Sequence, residues 1–284
     1  MNSVSANWEE EVRRGLRFGF GKNWSQFLRH LNDDRIASAV QSLQQMLGTD
    51  RLDGRSFLDV GSGSGLSSLA AARLGASVTS FDYDPQSVAC TTELKQRYYP
   101  NHDSWNVRSG SVLDRDFLQQ LGKFDIVYSW GVLHHTGAMW QALENVVHSV
   151  GSDGRLFIAI YNDQGRASRM WRLVKRAYVG APGPLKWAVL IPAFIRLWAP
   201  AIIRNSLRGS PLGTWRSYAP QSGARGMHPW RDAVDWVGGY PFEVAKPEDV
   251  IAFCSSRGFK ALKARTCGRG LGCNEFVFVR GAEG

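Results

Sequence analysis

The feature that most constrains this chain is a glycine-rich turn set between an apolar run and a helical repeat. Ser56 to Val60 is short and apolar, the turn reads Leu58-Asp59-Val60-Gly61-Ser62-Gly63-Ser64-Gly65, and Leu66 to Leu74 follows with helical spacing. Ser77 to Phe81 then reads as a second strand, which completes a βαβ unit. Glycine lets backbone approach a ligand where any Cβ would clash, and the helix that follows offers unpaired N–H groups. The spacing G-x-G-x-G differs from the G-x-G-x-x-G of a dinucleotide site, and the turn lacks the Lys of a P-loop. Asp82, closing the second strand in Phe81-Asp82-Tyr83-Asp84, stands where an acidic side chain can accept both hydroxyls of a ribose.

The alternation continues. A helix is expected near Gln86 to Tyr98, strands near Trp105 to Arg108 and Phe124 to Ser129, a helix around Met139 to Val147 and a strand at Arg155 to Tyr161. Upstream, Ile36, Ala39, Val40, Leu43 and Leu47 mark an amphipathic helix over 33–47, with Asp33 and Asp34 placed to cap its start and Gly48 its end. Downstream come a helix from about Pro247 to Arg257 and two strands, Phe259 to Thr266 and Asn274 to Arg280, joined by a Gly-rich turn. The fold class is α/β: a doubly wound, Rossmann-like sheet of seven strands with an antiparallel C-terminal hairpin and a helical insert as a cap. Its site belongs at the carboxyl ends of the strands.

With the turn, the acidic strand end and the terminal hairpin together, the chain resembles the class I S-adenosylmethionine-dependent methyltransferases from about Phe57 to Tyr161, with a compatible tail to Arg280. The resemblance implies S-adenosylmethionine as cofactor. It implies that Asp59, Gly61, Ser62, Gly63 and Gly65 line the methionine end, that Asp82 holds the ribose and that Tyr83 packs on the adenine. Val112 and Gly131 would complete this wall. In Gly110-Ser111-Val112 the family often has Asp where Ser111 stands, which leaves Ser111 or Asp114 to take the adenine amino group.

Methyl transfer requires acceptor and methyl to be held in line, water to be excluded and, for a protonated acceptor, a proton to be removed. The fourth strand runs into Ser129-Trp130-Gly131-Val132-Leu133-His134-His135, which resembles the Val-Leu-His-His segment of ubiquinone-biosynthesis-type small-molecule methyltransferases. His134 is the first candidate base and His135 the second; either could instead cap the next helix or bond a carbonyl. Two adjacent His with no Cys, Asp or Glu at ligand spacing predict no metal. Tyr161 and Asn162 end the fifth strand, and Tyr240 and Glu243 sit in the loop Gly238-Gly239-Tyr240-Pro241-Phe242-Glu243; all four are candidates for acceptor contact. The stretch from Trp8 to Phe27, Trp24 included, reads as a cover over cofactor or acceptor, or as a plain packing helix. Oxygen is the expected acceptor atom, in a small hydrophobic or aromatic molecule, because a His base helps a hydroxyl most; sulfur and nitrogen stay open.

Charge divides the chain. Of 34 Lys and Arg and 25 Asp and Glu, twelve basic residues and no acidic one fall between Arg166 and Arg231, so a segment at +12 interrupts a remainder at −3. The expected organisation is an N-terminal helical cover over 1–48, a catalytic domain over 49–165 and 232–284, and a basic insert over 166–231. Five of eleven Trp and seven of eleven Pro lie in that insert. It suits a lid over the acceptor, a membrane-surface element or, least of all, a nucleic-acid contact, since nothing resembles an RNA-binding module. Its prolines predict short helical pieces, and the apolar run from Trp187 to Ile203 reads as too short and broken to span a membrane. An apolar fraction of 44% excludes intrinsic disorder. Four Cys make no disulfide framework, and the N-terminus shows no secretory pattern, so a cytoplasmic protein is expected, membrane-peripheral if the insert meets lipid.

Overall fold

The computed structural model describes residues 3–100, 103–210, 229–268 and 270–281. Seven strands form one sheet: β1 (Ser56–Val60), β2 (Ser77–Asp82), β3 (Trp105–Ser109), β4 (Phe124–Trp130), β5 (Val150–Tyr161), β6 (Phe259–Arg265) and β7 (Cys273–Arg280). Their order is β3-β2-β1-β4-β5-β7-β6. The first five run parallel, and β7 inserts antiparallel between β5 and β6. The order reverses beside β1, so the carboxyl ends of β1 and β4 flank a crevice into which a ligand fits.

The helices in chain order are α1 (Ser3–Arg13), α2 (Gly21–Arg29), α3 (Asp33–Leu47), α4 (Leu66–Arg73), α5 (Pro85–Tyr98), α6 (Arg115–Leu121), α7 (Met139–His148), α8 (Arg166–Gly180), α9 (Lys186–Leu207), α10 (Pro229–Gly238) and α11 (Pro247–Ser255). One face of the sheet buries Phe57, Val78, Trp105 and Phe157 against α3, α4 and α5, and the other buries Leu58, Val127, Leu156 and Ile158 against α7 and α11. The strands are apolar on both faces because helices cover both. Helix α3 has the expected bounds but a different cap: Asn32 accepts the Arg35 N–H at 3.1 Å, and Asp33 and Asp34 fall in the first turn, where they complement the helix dipole. Gly48 ends it in the left-handed conformation that only glycine adopts at no cost.

The insert departs from expectation. Rather than short pieces, α9 is a helix of 22 residues with Pro192 and Pro200 inside it, and with the preceding 3₁₀ turn it is long and apolar enough, by length and composition, to cross a membrane. Each proline removes one N–H, and the carbonyls so freed are those of Ala188 and Arg196. All four residues are exposed, so the helix gives up these bonds on its outer surface, away from the side that packs against α8 and α10. Leu190 and Ala193 on the opposite side join Trp171, Tyr178, Val179, Val237 and Phe242 in a third apolar cluster, formed by α8, α9 and α10. Residues 211–228 of the insert, with Pro211 and Pro220, lie outside the described residues.

Candidate functional site

The cofactor side is built from backbone. Gly61, Gly63 and Gly65 all have positive φ, between 54° and 80°. A Cβ on Gly61 would lie 2.4 Å from Val132 Cγ1, and one on Gly65 would lie 2.9 Å from the Thr91 backbone. The N–H groups of Gly61 and Ser62 both donate to the Phe81 carbonyl, at 2.9 and 3.0 Å, which ties the turn to β2. Asp82 stands opposite. Its carboxylate accepts the Gly63 N–H and the Asp84 N–H, each at 2.9 Å, and burial pushes it up to about 6. Each oxygen keeps lone-pair capacity for a hydroxyl. Gly131, φ 77°, has nothing within 4 Å of where its Cβ would point, so the backbone after β4 faces open space. A crevice with glycine walls and one anchored carboxylate fits an adenosine bearing a charged thioether arm.

Asp59 lies deeper. It is 1% exposed, accepts the Ser68 hydroxyl at 2.5 Å and is pushed up to about 7 by burial. Ser68 and Ser80 share a bond of 2.7 Å, and Trp105 Nε1 donates to Ser80 at 2.9 Å. Asp59 thus supports the turn from below. Val112 is buried in the core, while Ser111 and Asp114 spend their side chains on local N–H groups, those of Leu113 and Phe117. The Tyr83 ring lies under the Arg17 guanidinium at 5.1 Å, and its hydroxyl donates to Glu11.

The N-terminal segment crosses this rim. Arg17 Nη1 donates to the His135 carbonyl at 2.8 Å, Phe18 N–H to the Tyr240 carbonyl at 2.8 Å and Gly21 N–H to Asp84 Oδ2 at 2.8 Å. The Trp24 indole nitrogen would be 3.1 Å from a Cβ on Gly63. One stretch of chain therefore touches the glycine turn, the end of β2, the segment after β4 and the 240 loop.

The acceptor side is built from side chains. Leu133–His135 form a 3₁₀ turn after β4, and both imidazoles are buried. His134 Nδ1 accepts the Tyr161 N–H at 3.2 Å, and its ring lies 3.9 Å from the Tyr161 ring. A nitrogen that accepts from an amide carries no proton, so the proton of neutral His134 is on Nε2. In His135 the pattern is reversed. Its Nδ1 lies 2.7 Å from the Pro241 carbonyl, which can only accept, so Nδ1 holds the proton and Nε2 the lone pair. Burial first, then the positive charges of Lys175 and Arg17, push His135 down to about 3. Phe20 packs on it at 5.0 Å.

Other expected contacts turn out to be supports. Asn162 donates to the Gly268 and Gly270 carbonyls and accepts from Asn274, so its amide holds the hairpin turn. Glu243 Oε2 accepts the Met139 N–H at 3.0 Å and caps α7, whose own N-cap residue, Ala138, has no side-chain acceptor. Tyr161 and Tyr240 remain at the wall, among the residues packed on the third cluster.

Lys175 is the residue that sequence reasoning missed. It is fully buried on α8, donates to the Trp236 carbonyl and lies 4.3 Å from the Trp236 ring, 4.7 Å from Phe242 and 5.9 Å from Tyr161. Burial pushes it down to about 7, against the pull of Asp235. A signal was present: Ser168, Trp171, Lys175 and Tyr178 recur at helical spacing on the buried face of α8.

Against known proteins, residues 58–156 match a family described as methyltransferase domain. Those residues run from the glycine turn through both His to β5. Over this third of the chain the protein is similar to a methyltransferase domain. The chain is 31% identical over 124 residues to a ubiquinone biosynthesis O-methyltransferase of Glaesserella parasuis, covering 42% of this chain and 50% of that one. A ribosomal protein L11 methyltransferase of Xanthomonas campestris is 37% identical over 84 residues, 29% of this chain and 24% of its own. The chain thus spans half the length of the first relative and about a quarter of the second. Its fold is that of a magnesium protoporphyrin IX methyltransferase from Synechocystis solved with bound SAH, with a TM-score of 0.51 at 14% identity, covering 87% of this chain and 84% of that one.

Proposed function

We propose that this protein methylates a small, hydrophobic or aromatic acceptor, with oxygen as the favoured acceptor atom. The observation that carries this reading is the adjacency of the glycine crevice to a buried cluster of His135, Phe20 and Tyr161 at the ends of β4 and β5. The cofactor would supply an electrophilic methyl group on a sulfonium. Gly61, Gly63, Gly131 and Asp82 would hold it, with Trp24 and the Tyr83 ring closing the rim. Tyr161 and Tyr240 would orient the acceptor, and Phe20 would exclude water.

His135 is the better base of the two. His134 already spends its lone pair on the Tyr161 N–H, whereas His135 Nε2 has its lone pair left and its ring fixed through Nδ1. An imidazole held near 3 removes no proton from a resting phenol. As the new O–C bond forms, however, the hydroxyl becomes far more acidic, and even a weak base then accepts the proton. Lys175, behind Tyr161, adds a buried positive charge that favours an acceptor carrying partial negative charge.

Calorimetry with S-adenosylmethionine and S-adenosylhomocysteine, followed by a screen of phenols, quinols, thiols and amines for formation of S-adenosylhomocysteine, tests the proposal. The expected result is cofactor binding and turnover with a phenol or quinol. Binding with turnover confined to thiols or amines overturns the oxygen assignment, and absence of both binding and turnover overturns the enzyme.

A further inference from the structure

The outward face of α9 has no role in the site. Ile191, Ile195 and Ile203 are 52%, 60% and 59% exposed, and with Ala199 they recur every fourth residue. At 100° per residue they fill an arc of about 120°. Ala188, Pro192 and Ile202 fall within that arc, so over about four turns, from Ala188 to Ile203, it carries no polar side chain, and Ser206 follows it in the last turn. Trp187 stands at its start, 54% exposed, and Leu207 at its end, 84% exposed. The cations keep to one edge: Arg196 borders the arc, Arg204 lies further round, and both are exposed. Between residues 166 and 231 there is no acidic side chain.

We infer that α9 lies flat on an anionic lipid surface, with its isoleucine face in the acyl boundary and Arg196 and Arg204 at the headgroups. An apolar arc flanked by cations, on a helix whose other side is packed against protein, is the arrangement that binds an interface. Spanning the bilayer would strip Leu190 and Ala193 from the cluster they share with α8 and α10 and carry Arg196 toward the centre of the acyl region. A second copy is a poor occupant, because two such faces would bring cations together with no carboxylate of the insert to offset them. Nucleic acid would need polar and stacking groups where the arc presents isoleucine. The inner side of α9 shares the third cluster with α8 and α10, against which Tyr161 and Tyr240 also pack, so the membrane-facing helix and the proposed acceptor site rest on one core. The inference rests on that reading only in giving the acceptor a hydrophobic source; the contact itself does not depend on turnover.

Flotation of the full chain tests it, with vesicles of phosphatidylglycerol and phosphatidylcholine at low and high salt and with phosphatidylcholine alone. The expected result is flotation with the anionic vesicles at low salt, weakened by high salt and absent with the neutral ones. Arg196→Gln with Arg204→Gln should weaken binding roughly fivefold per cation, and Ile191→Asp with Ile195→Asp should abolish it. All four side chains are exposed, so circular dichroism and cofactor calorimetry should match the parent and exclude misfolding. Failure of the parent to float with anionic vesicles overturns the inference, as does undiminished flotation of the double Asp variant. Self-association that the double Asp variant abolishes, seen by ultracentrifugation without flotation, assigns the face to a second copy instead. Cofactor calorimetry on the same preparation separates these failures from a failure of the methyltransferase reading.

Discussion

The two halves of the site are made differently. The half proposed for the cofactor uses main chain: three glycines with positive φ, N–H groups aimed at Phe81 and Asp82, and the Asp82 carboxylate at the rim. The acceptor half uses side chains brought from far apart, with Phe20, His135, Tyr161, Lys175, Trp236 and Phe242 meeting at the ends of β4 and β5. Backbone recognition holds a constant ligand, since amide geometry varies little. Side-chain recognition suits a substrate that differs from one relative to the next.

Breaking the backbone half should have the largest effect. Gly61→Ala puts a methyl group against both γ carbons of Val132 at a left-handed φ, and strain and overpacking together should cost about 2–5 kcal/mol and abolish cofactor binding. Thermal unfolding and calorimetry measure the two losses; a variant that binds normally would mean the turn is not the cradle. His135→Ala should lower kcat about a hundredfold while cofactor affinity stays near normal. His134→Ala should act mainly on stability, by about 1–3 kcal/mol, because it leaves a buried N–H without its acceptor. The reverse pattern would return the base assignment to His134.

Asp82→Ala should weaken cofactor binding about 10- to 100-fold, as hydroxyls lose a charged acceptor. In the parent protein the same affinity should fall as pH drops below about 6, where the carboxyl takes up a proton. A flat profile from pH 5 to 8 would remove Asp82 from the ribose. The smallest effect belongs to Lys175. Unfolded, its amine holds a proton up to about 10.5; folded, only up to about 7. Its contribution to stability is present above 10.5 and lost as pH falls to 7. Lys175→Met should therefore stabilise the protein at pH 7, by about 1–3 kcal/mol, and the gain should shrink toward pH 10. A variant less stable at pH 7 would show that the Trp236 bond outweighs the cost of burial.

That division also explains what the sequence disclosed. Glycines at 61, 63 and 65 and the acid at 82 lie within one βαβ unit, so local spacing, together with the terminal hairpin, carried the resemblance from which the fold was expected. The resemblance implies Asp59 at the methionine end of the cofactor, whereas strand alternation directs its side chain to Ser68 and the covering helix. The pairing of His134 with Tyr161, and of His135 with Pro241, joins segments 27 and 106 residues apart, a separation no local pattern reveals. Helix α9 escaped for a different reason. Proline is read as a helix breaker, but Pro192 and Pro200 both lie on the outer surface of α9, where the lost bonds and any bend disturb no packed neighbour.

Four of the loops that frame the crevice are fastened by residues 17–24. A nucleoside held at the glycine turn, as proposed, would exchange only when several separate tethers release together. Such a gate would exchange speed for commitment: it would favour an order in which the nucleoside binds first and leaves last, and would put opening of the strap, rather than bond-making, in a position to set the turnover rate.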